Sequence, residues 1–146
     1  MNMPFFKPIL NERSYKQNHG KRGVVYILIN NVFKEGIYKI GCSQYSGEKR
    51  ATDLNRDANT GTPGEFKCIF QIETLDCGLS EENVLIKLFK YQRGKPGQEF
   101  FDIDLNLAKK TIIEECKNNT NGGWDRHKLW IYHPEGNIKR SYHLDG

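Results

Sequence analysis

Residues 23–42 carry the strongest pattern of apolar and polar positions in the chain. Two apolar runs, 24–29 and 37–42, flank a polar tip from Asn30-Asn31 to Glu35-Gly36. Both runs are rich in β-branched and aromatic residues and are punctuated by Gly and Asn, which predicts an antiparallel β-hairpin with a longer loop. The first run is almost uniformly apolar, as expected of a strand covered on both faces. The second alternates, with Ile37, Lys39 and Gly41 on one face and Tyr38, Ile40 and Cys42 on the other. Lys39 is thus a charge inside an apolar hairpin. It has to reach water, a carboxylate or an anion, because an unpaired buried charge is costly.

Downstream the period changes. Ser46-Gly47-Glu48 is a helix start, and Ala51, Leu54 and Ala58 recur at helical spacing before the turn residues 59–64. Arg50 falls in the first turn of that helix, where a helix N-terminus and a guanidinium both favour a phosphate. Residues 66–75 alternate again and predict a third strand, with Phe66, Cys68, Phe70, Ile72 and Thr74 forming one strongly apolar face. Ser80 is the expected N-cap of a second helix, with Glu81 and Glu82 in its first turn. An apolar stripe of Val84, Leu85, Leu88 and Phe89 continues that helix through Tyr91 to Arg93-Gly94. Lys95-Pro96-Gly97 is a turn and 99–103 a short strand. Asp104 caps a third helix to about Lys117, with Leu105, Ala108, Ile112 and Ile113 inward. After the break at 118–123, residues 128–133 and 138–144 read as a hairpin that extends the sheet, covers an edge or forms a small aromatic and basic module.

The predicted fold class is therefore α/β (α+β): a central three-stranded antiparallel sheet flanked by helices, with a C-terminal β-hairpin extension. Three regions are expected: an irregular, basic N-terminal arm over 1–22, a domain over 23–118, and the hairpin extension over 124–146. One helical turn is expected near residues 11–15 of the arm.

Length and composition narrow the function. The chain has 146 residues, 37% hydrophobic and 27% charged, which fits one globular domain. A net charge of +4 is compatible with a phosphate-bearing partner without requiring one. Cys42, Cys68, Cys77 and Cys116 form no Cys-x-x-Cys pair and read as buried thiols in a reducing compartment. The start has no sustained apolar segment and no run is long enough to span a membrane, so an intracellular location, cytoplasmic or nuclear, is expected.

Val24-Val25-Tyr26 followed by Lys39-Ile40-Gly41 resembles the paired signature of the GIY-YIG nuclease superfamily, and the Lys-Ile-Gly spelling resembles its T5orf172 branch. Further matches follow in order: Arg50 with Leu54-Asn55, Glu82 in an amphipathic helix, and Glu99-Phe100-Phe101. The resemblance spans roughly residues 22–105. It implies a GIY-YIG-like fold and a DNA endonuclease that hydrolyses phosphodiester bonds with one Mg²⁺ or Mn²⁺ ion. It also implies the setting of a phage, viral or mobile-element protein, including an infected host cell.

The roles that the resemblance implies are these. Glu82 is the metal ligand, preferred over Glu81 as the carboxylate nearest the apolar stripe. Tyr26 is the first-strand base or water-orienting group, and Arg50 stabilises charge on phosphorus. Lys39 stands where the family has its second motif tyrosine, as a phosphate contact or, with a lowered pKa, a base. Lys39, Arg50 and Arg56 are the candidate nucleic-acid contacts. The sequence departs from the fuller family pattern in lacking the His or Tyr after the Arg and the late Asn.

Duller readings stand beside these: a core tyrosine, a snorkelling lysine, a solvated Arg50, acids that only favour a helix dipole, and a structural Glu99. A zinc site from His127, His133 and His143 lacks the necessary spacing. Two other functions follow from the same residues: an inert nuclease-fold DNA binder, or an interaction protein docking through its aromatic tail. A lone domain of this size gains reach on duplex DNA by pairing, so a homodimer is among the expected forms.

Overall fold

In a computed structural model, residues 17–57, 63–94, 99–118, 128–133 and 138–143 are described, the last two segments by their backbone. The helical turn expected at 11–15 and the segments 59–62, 95–97 and 119–123 lie outside the described residues.

The hairpin forms as its sequence predicts. Strand β1 (Gly23–Asn30) pairs antiparallel with β2 (Ile37–Ser43), Tyr26 opposite Gly41 and Leu28 opposite Lys39. All but one residue of β1 is buried, in keeping with cover on both faces. Strand β3 (Phe66–Thr74) pairs with the other side of β1. Its register moves from Ile27 opposite Phe70 to Leu28 opposite Cys68, so Ile69 is one residue too many.

That bulge revises the expectation of a single apolar face on the third strand. One extra residue inverts the alternation. Phe66 and Cys68 join Val24, Tyr26, Leu28 and Ala51 on one side of the sheet. Phe70 and Ile72 join Val25, Ile27, Ile40 and Cys42 on the other. The strand thereby feeds two cores, with each fully buried large side chain stabilising by about 1.5–3 kcal/mol.

The expected sheet of three strands is also too small. Helix α1 (Gly47–Arg56) follows β2, and α2 (Cys77–Lys87) follows β3. After a 3-10 turn at Phe89–Tyr91 come two short strands, β4 (Gln92–Arg93) and β5 (Phe100–Asp102). Strand β5 pairs with both β2 and β4, giving a five-stranded antiparallel sheet before α3 (Leu105–Asn118) begins. The C-terminal strands β6 (Lys128–His133) and β7 (Ile138–His143) continue this sheet through β3, so the full order is β4-β5-β2-β1-β3-β6-β7. Strand β5 is the short strand expected at 99–103; the two-residue β4 carries too little alternation to be read from sequence.

The helices lie on opposite faces. Ala51 and Leu54 of α1 cover the Tyr26 side. Val84, Leu85 and Leu88, with Ala108, Ile112 and Cys116 from α3, cover the Val25 side. The start of α2 differs from expectation. Asp76, not Ser80, is the N-cap and accepts a hydrogen bond from the Leu79 N–H at 3.0 Å. Ser80 is buried within the helix, its Oγ 2.9 Å from Thr74 Oγ1. Residues 17–22 pack along this start: the Cys77 N–H donates to the Lys21 carbonyl at 2.8 Å, and Gly20 N–H donates to Asp76 Oδ1 at 2.8 Å. Among the described residues no helix is long and apolar enough to cross a membrane.

Candidate active site

The site builds outward from a glycine. Tyr26 and Gly41 are cross-strand partners, so they face the same side of the sheet. Because position 41 has no side chain, the Tyr26 ring lies across it, with the hydroxyl where a Cβ substituent would meet it at 2.5 Å. Tyr26 is 2% exposed.

Arg50 is brought to this point by the seating of α1. Ser46 caps the helix, its Oγ accepting from the Lys49 N–H at 3.0 Å. The buried Gln71 amide then bridges helix and sheet: its Oε1 accepts from the Gly47 N–H at 2.7 Å, and its Nε2 donates to Glu48 Oε1 at 2.7 Å. Gly47 lets the helix come this close, since a Cβ there would collide with the Cys68 sulfur and stand 3.0 Å from Tyr26 Cβ. Arg50 itself is exposed, in the second turn of the helix. Arg56 is exposed too, in the last turn, about 9 Å of helical rise farther on.

Lys39 is half-buried opposite Phe100 of β5, with its Nζ 5.4 Å from the centre of the Phe100 ring. Two carboxylates face it. Glu81, on α2, is 3% exposed, and Glu99, just before β5, is 6% exposed. Their side chains are hydrogen-bonded to each other. The Cys42 thiol donates to Glu81 Oε1 at 3.2 Å. Glu99 has φ +54°, a left-handed conformation uncommon outside glycine, and its carbonyl accepts from the Ile40 N–H at 3.2 Å. The β2 backbone therefore fixes where the Glu99 side chain begins.

The charges act on one another. Burial, and then the Glu99 carboxylate, push the Glu81 carboxyl well above its ordinary value, while Lys39 pulls it back. Burial pulls the Lys39 ammonium down, and Glu99 and Glu81 hold it up. Burial and the Glu81 charge push the Tyr26 phenol up, against the pull of Arg50. Tyr26, Lys39, Arg50, Glu81 and Glu99 thus form one electrostatic unit at the edge of the first hairpin.

Of the four residues expected to converge, Tyr26 and Lys39 share the side of the sheet that α1 covers, and Arg50 lies on α1. Glu81 lies on α2, which covers the other side of the sheet, where the Cys42 thiol donates to it; its charge acts on Tyr26 and Lys39. Glu82 is turned about 100° around the helix from it, and its Oε1 lies 3.4 Å from His19 Nε2. The expectation for Glu82 took nearness in sequence to Val84 as the guide. Glu81 stands three, four and seven residues before Val84, Leu85 and Leu88, and so shares their inward face. Sequence reading also treated Glu99 as structural, and gave no role to Gly47 or Gln71.

Fold and site together define a small α+β domain with two buried carboxyls, a phenol and two cations whose charges act on one another around β1 and β2. The T5orf172 domain profile matches residues 23–117, and the chain belongs to that domain family. No curated protein and no solved structure matches it.

Proposed function

We propose that this domain is a metal-dependent DNA endonuclease of the GIY-YIG type, hydrolysing phosphodiester bonds with one divalent ion. The observation that carries this reading is that Tyr26 and Lys39 share the side of the sheet covered by α1, which bears Arg50, with the buried Glu81 carboxyl near enough for its charge to act on both. Membership of the T5orf172 family supports it.

The donor set fits a hard divalent cation. Glu81 offers a buried carboxyl whose affinity for a proton is raised by burial and then by Glu99, and a divalent ion bound there would favour its ionised form. Among the described residues there is no group of three or more His, Cys, Asp or Glu that could hold a metal. Mg²⁺ and Mn²⁺ suit such a site, because Mg²⁺ is commonly held by one or two carboxylates and keeps several waters. Bound there, the ion would supply Lewis-acid neutralisation of charge on the phosphate.

The chain's own groups divide the remaining work. Arg50 is exposed and takes the phosphate by its planar fork, stabilising negative charge as it builds on the equatorial oxygens. Tyr26 keeps its proton, since its pKa is raised, and its hydroxyl orients the attacking water rather than deprotonating it. Lys39 holds the phosphate through its ammonium, and the proton that water loses passes to solvent. The water oxygen bonds to phosphorus, the P–O ester bond breaks, and the departing oxygen leaves with its electron pair and is protonated from solvent.

The test is nicking of supercoiled plasmid and of branched DNA with Mg²⁺ or Mn²⁺. Cleavage abolished by EDTA, by Arg50→Ala and by Glu81→Ala is the expected result. A wild-type protein that leaves DNA intact, yet shifts it on a gel in a steeply salt-dependent way, overturns the enzyme in favour of the inert binder.

A further inference from the structure

The side of the sheet that α1 covers runs on past the helix to the outer strands. Cross-strand partners share a face, and one row of partners leads from Leu28 of β1 through Lys39 of β2 and Phe100 of β5 to Arg93 of β4. At its inner end Leu28 packs with Ala51 and Leu54 of α1. At its outer end Phe100 is half-buried and Arg93 exposed, whereas Phe101, on the opposite face, is fully buried. Arg93 thus shares a face with Lys39, two strand spacings or about 10 Å away. Phe100 is fixed between them: Phe33 meets its ring edge-on at 5.1 Å, and the Lys39 ammonium lies 5.4 Å from its centre.

The Arg93 guanidinium is held in a way that suits an anion. Its Nη1 donates to the Lys90 carbonyl at 3.0 Å and to the Gln92 carbonyl at 2.8 Å. Those two bonds use both hydrogens of Nη1 and fix the plane of the group. The opposite edge, Nε with Nη2, is the fork that matches two oxygens of one phosphate. Among the described residues Arg93 makes no ion pair, although Asp102 lies on the same face of β5.

We propose that Arg93 is a contact for a DNA backbone phosphate beside the one taken by Arg50 and Lys39, so that the strand runs from α1 over Phe100 to the β4 edge of the sheet. This rests on the reading of the domain as a DNA endonuclease and adds to it the path of the substrate away from the site. A small anion would engage one of these cations. A phosphodiester backbone repeats its charge and meets them in turn.

The test is binding of a fluorescent DNA duplex in EDTA, followed by anisotropy over a series of salt concentrations, with plasmid nicking measured separately. The variants are Arg93→Ala and, as a control for bulk charge, Lys90→Ala, which removes an exposed cation outside the row. Both positions are exposed, so both variants are expected to melt near wild type. Arg93→Ala is expected to weaken binding about tenfold whatever the DNA sequence, to lower the salt slope by about one, and to raise KM for nicking while sparing kcat. Lys90→Ala is expected to bind near wild type. Arg93→Ala binding as wild type does, or weakened no more than Lys90→Ala, overturns the strand path and leaves a wild type that nicks DNA as a nuclease. A wild type that binds DNA through Arg93 without nicking it upholds the path and overturns the nuclease. A wild type that neither binds nor nicks DNA overturns both.

Discussion

The Tyr26 hydroxyl occupies the space that a side chain at Gly41 would need: a Cβ at 41 would stand 2.5 Å from the hydroxyl oxygen and 2.8 Å from Cζ. Both residues lie in the middle of paired strands, so neither backbone can retreat without opening the ladder. Gly41→Ala therefore forces the Tyr26 ring off its place. Overpacking of this kind costs about 1–3 kcal/mol, readable as a lower urea midpoint. Cleavage should fall further than the loss of folded protein explains. An Ala variant with wild-type stability and activity would show that the ring moves aside freely.

Gln71 is expected to act as a positioning residue for Arg50. It satisfies the Gly47 N–H at 2.7 Å and holds Glu48 Oε1 at 2.7 Å, both at the helix start three residues or fewer from Arg50. Gln71→Ala leaves a buried N–H and a carboxylate oxygen without their partner, at a cost of about 1–3 kcal/mol. The functional signature is a raised KM for DNA with kcat much less affected, since α1 keeps its Ser46 cap but loses its tether to the sheet. A Gln71→Ala protein with unchanged KM would confine the amide to a structural role.

Much of this architecture was legible because its signals are local. The hairpin at 23–43, the Asp104 cap, whose Oδ2 accepts from the Leu107 N–H at 3.0 Å, and the C-terminal hairpin all follow from alternation, turn residues and caps. What was not legible depends on partners distant in sequence. Ile69 is a bulge only because β1 keeps a straight register past it, and nothing at 66–74 alone announces that. Glu99 looks structural beside two phenylalanines until α2 brings Glu81 to it. The cap at Asp76 was missed because Ser80 is an equally good capping residue; burial of Cys77, Gly78 and Ser80 decides for the earlier start. The inward facing of Glu81 was legible by helical spacing.

The buried pair makes stability depend on pH. Glu81 has a folded pKa raised well above its ordinary value near 4.5. Such a group stabilises the fold fully below its unfolded pKa, and that contribution is lost as pH rises through the folded pKa. Lys39 works in the opposite sense: its folded pKa lies below 10.5, so stability is regained as pH rises from the folded value towards 10.5. In EDTA the urea midpoint of wild type should therefore decline from about pH 5 upward. Glu81→Gln should flatten that decline and leave the alkaline recovery from Lys39 in place. Parallel pH profiles for wild type and Glu81→Gln would mean that the carboxyl is ionised at no cost to the fold.

Adjacent carboxylates on α2 offer the sharpest separation of roles. Glu81 and Glu82 differ by one position, yet one is 3% exposed among Cys42, Glu99 and Lys39, and the other meets His19 at 3.4 Å on a partly exposed face. A partly exposed pair of this kind contributes about 0–1 kcal/mol. Glu82→Ala should therefore shift the melting temperature slightly and leave Mn²⁺ affinity and DNA cleavage near wild type. Glu81→Ala removes the carboxylate that Tyr26, Lys39 and Glu99 all face, and should abolish cleavage and weaken Mn²⁺ binding strongly. The same two variants, assayed side by side for metal binding and nicking, would reverse this assignment if Glu82→Ala were the one to lose both.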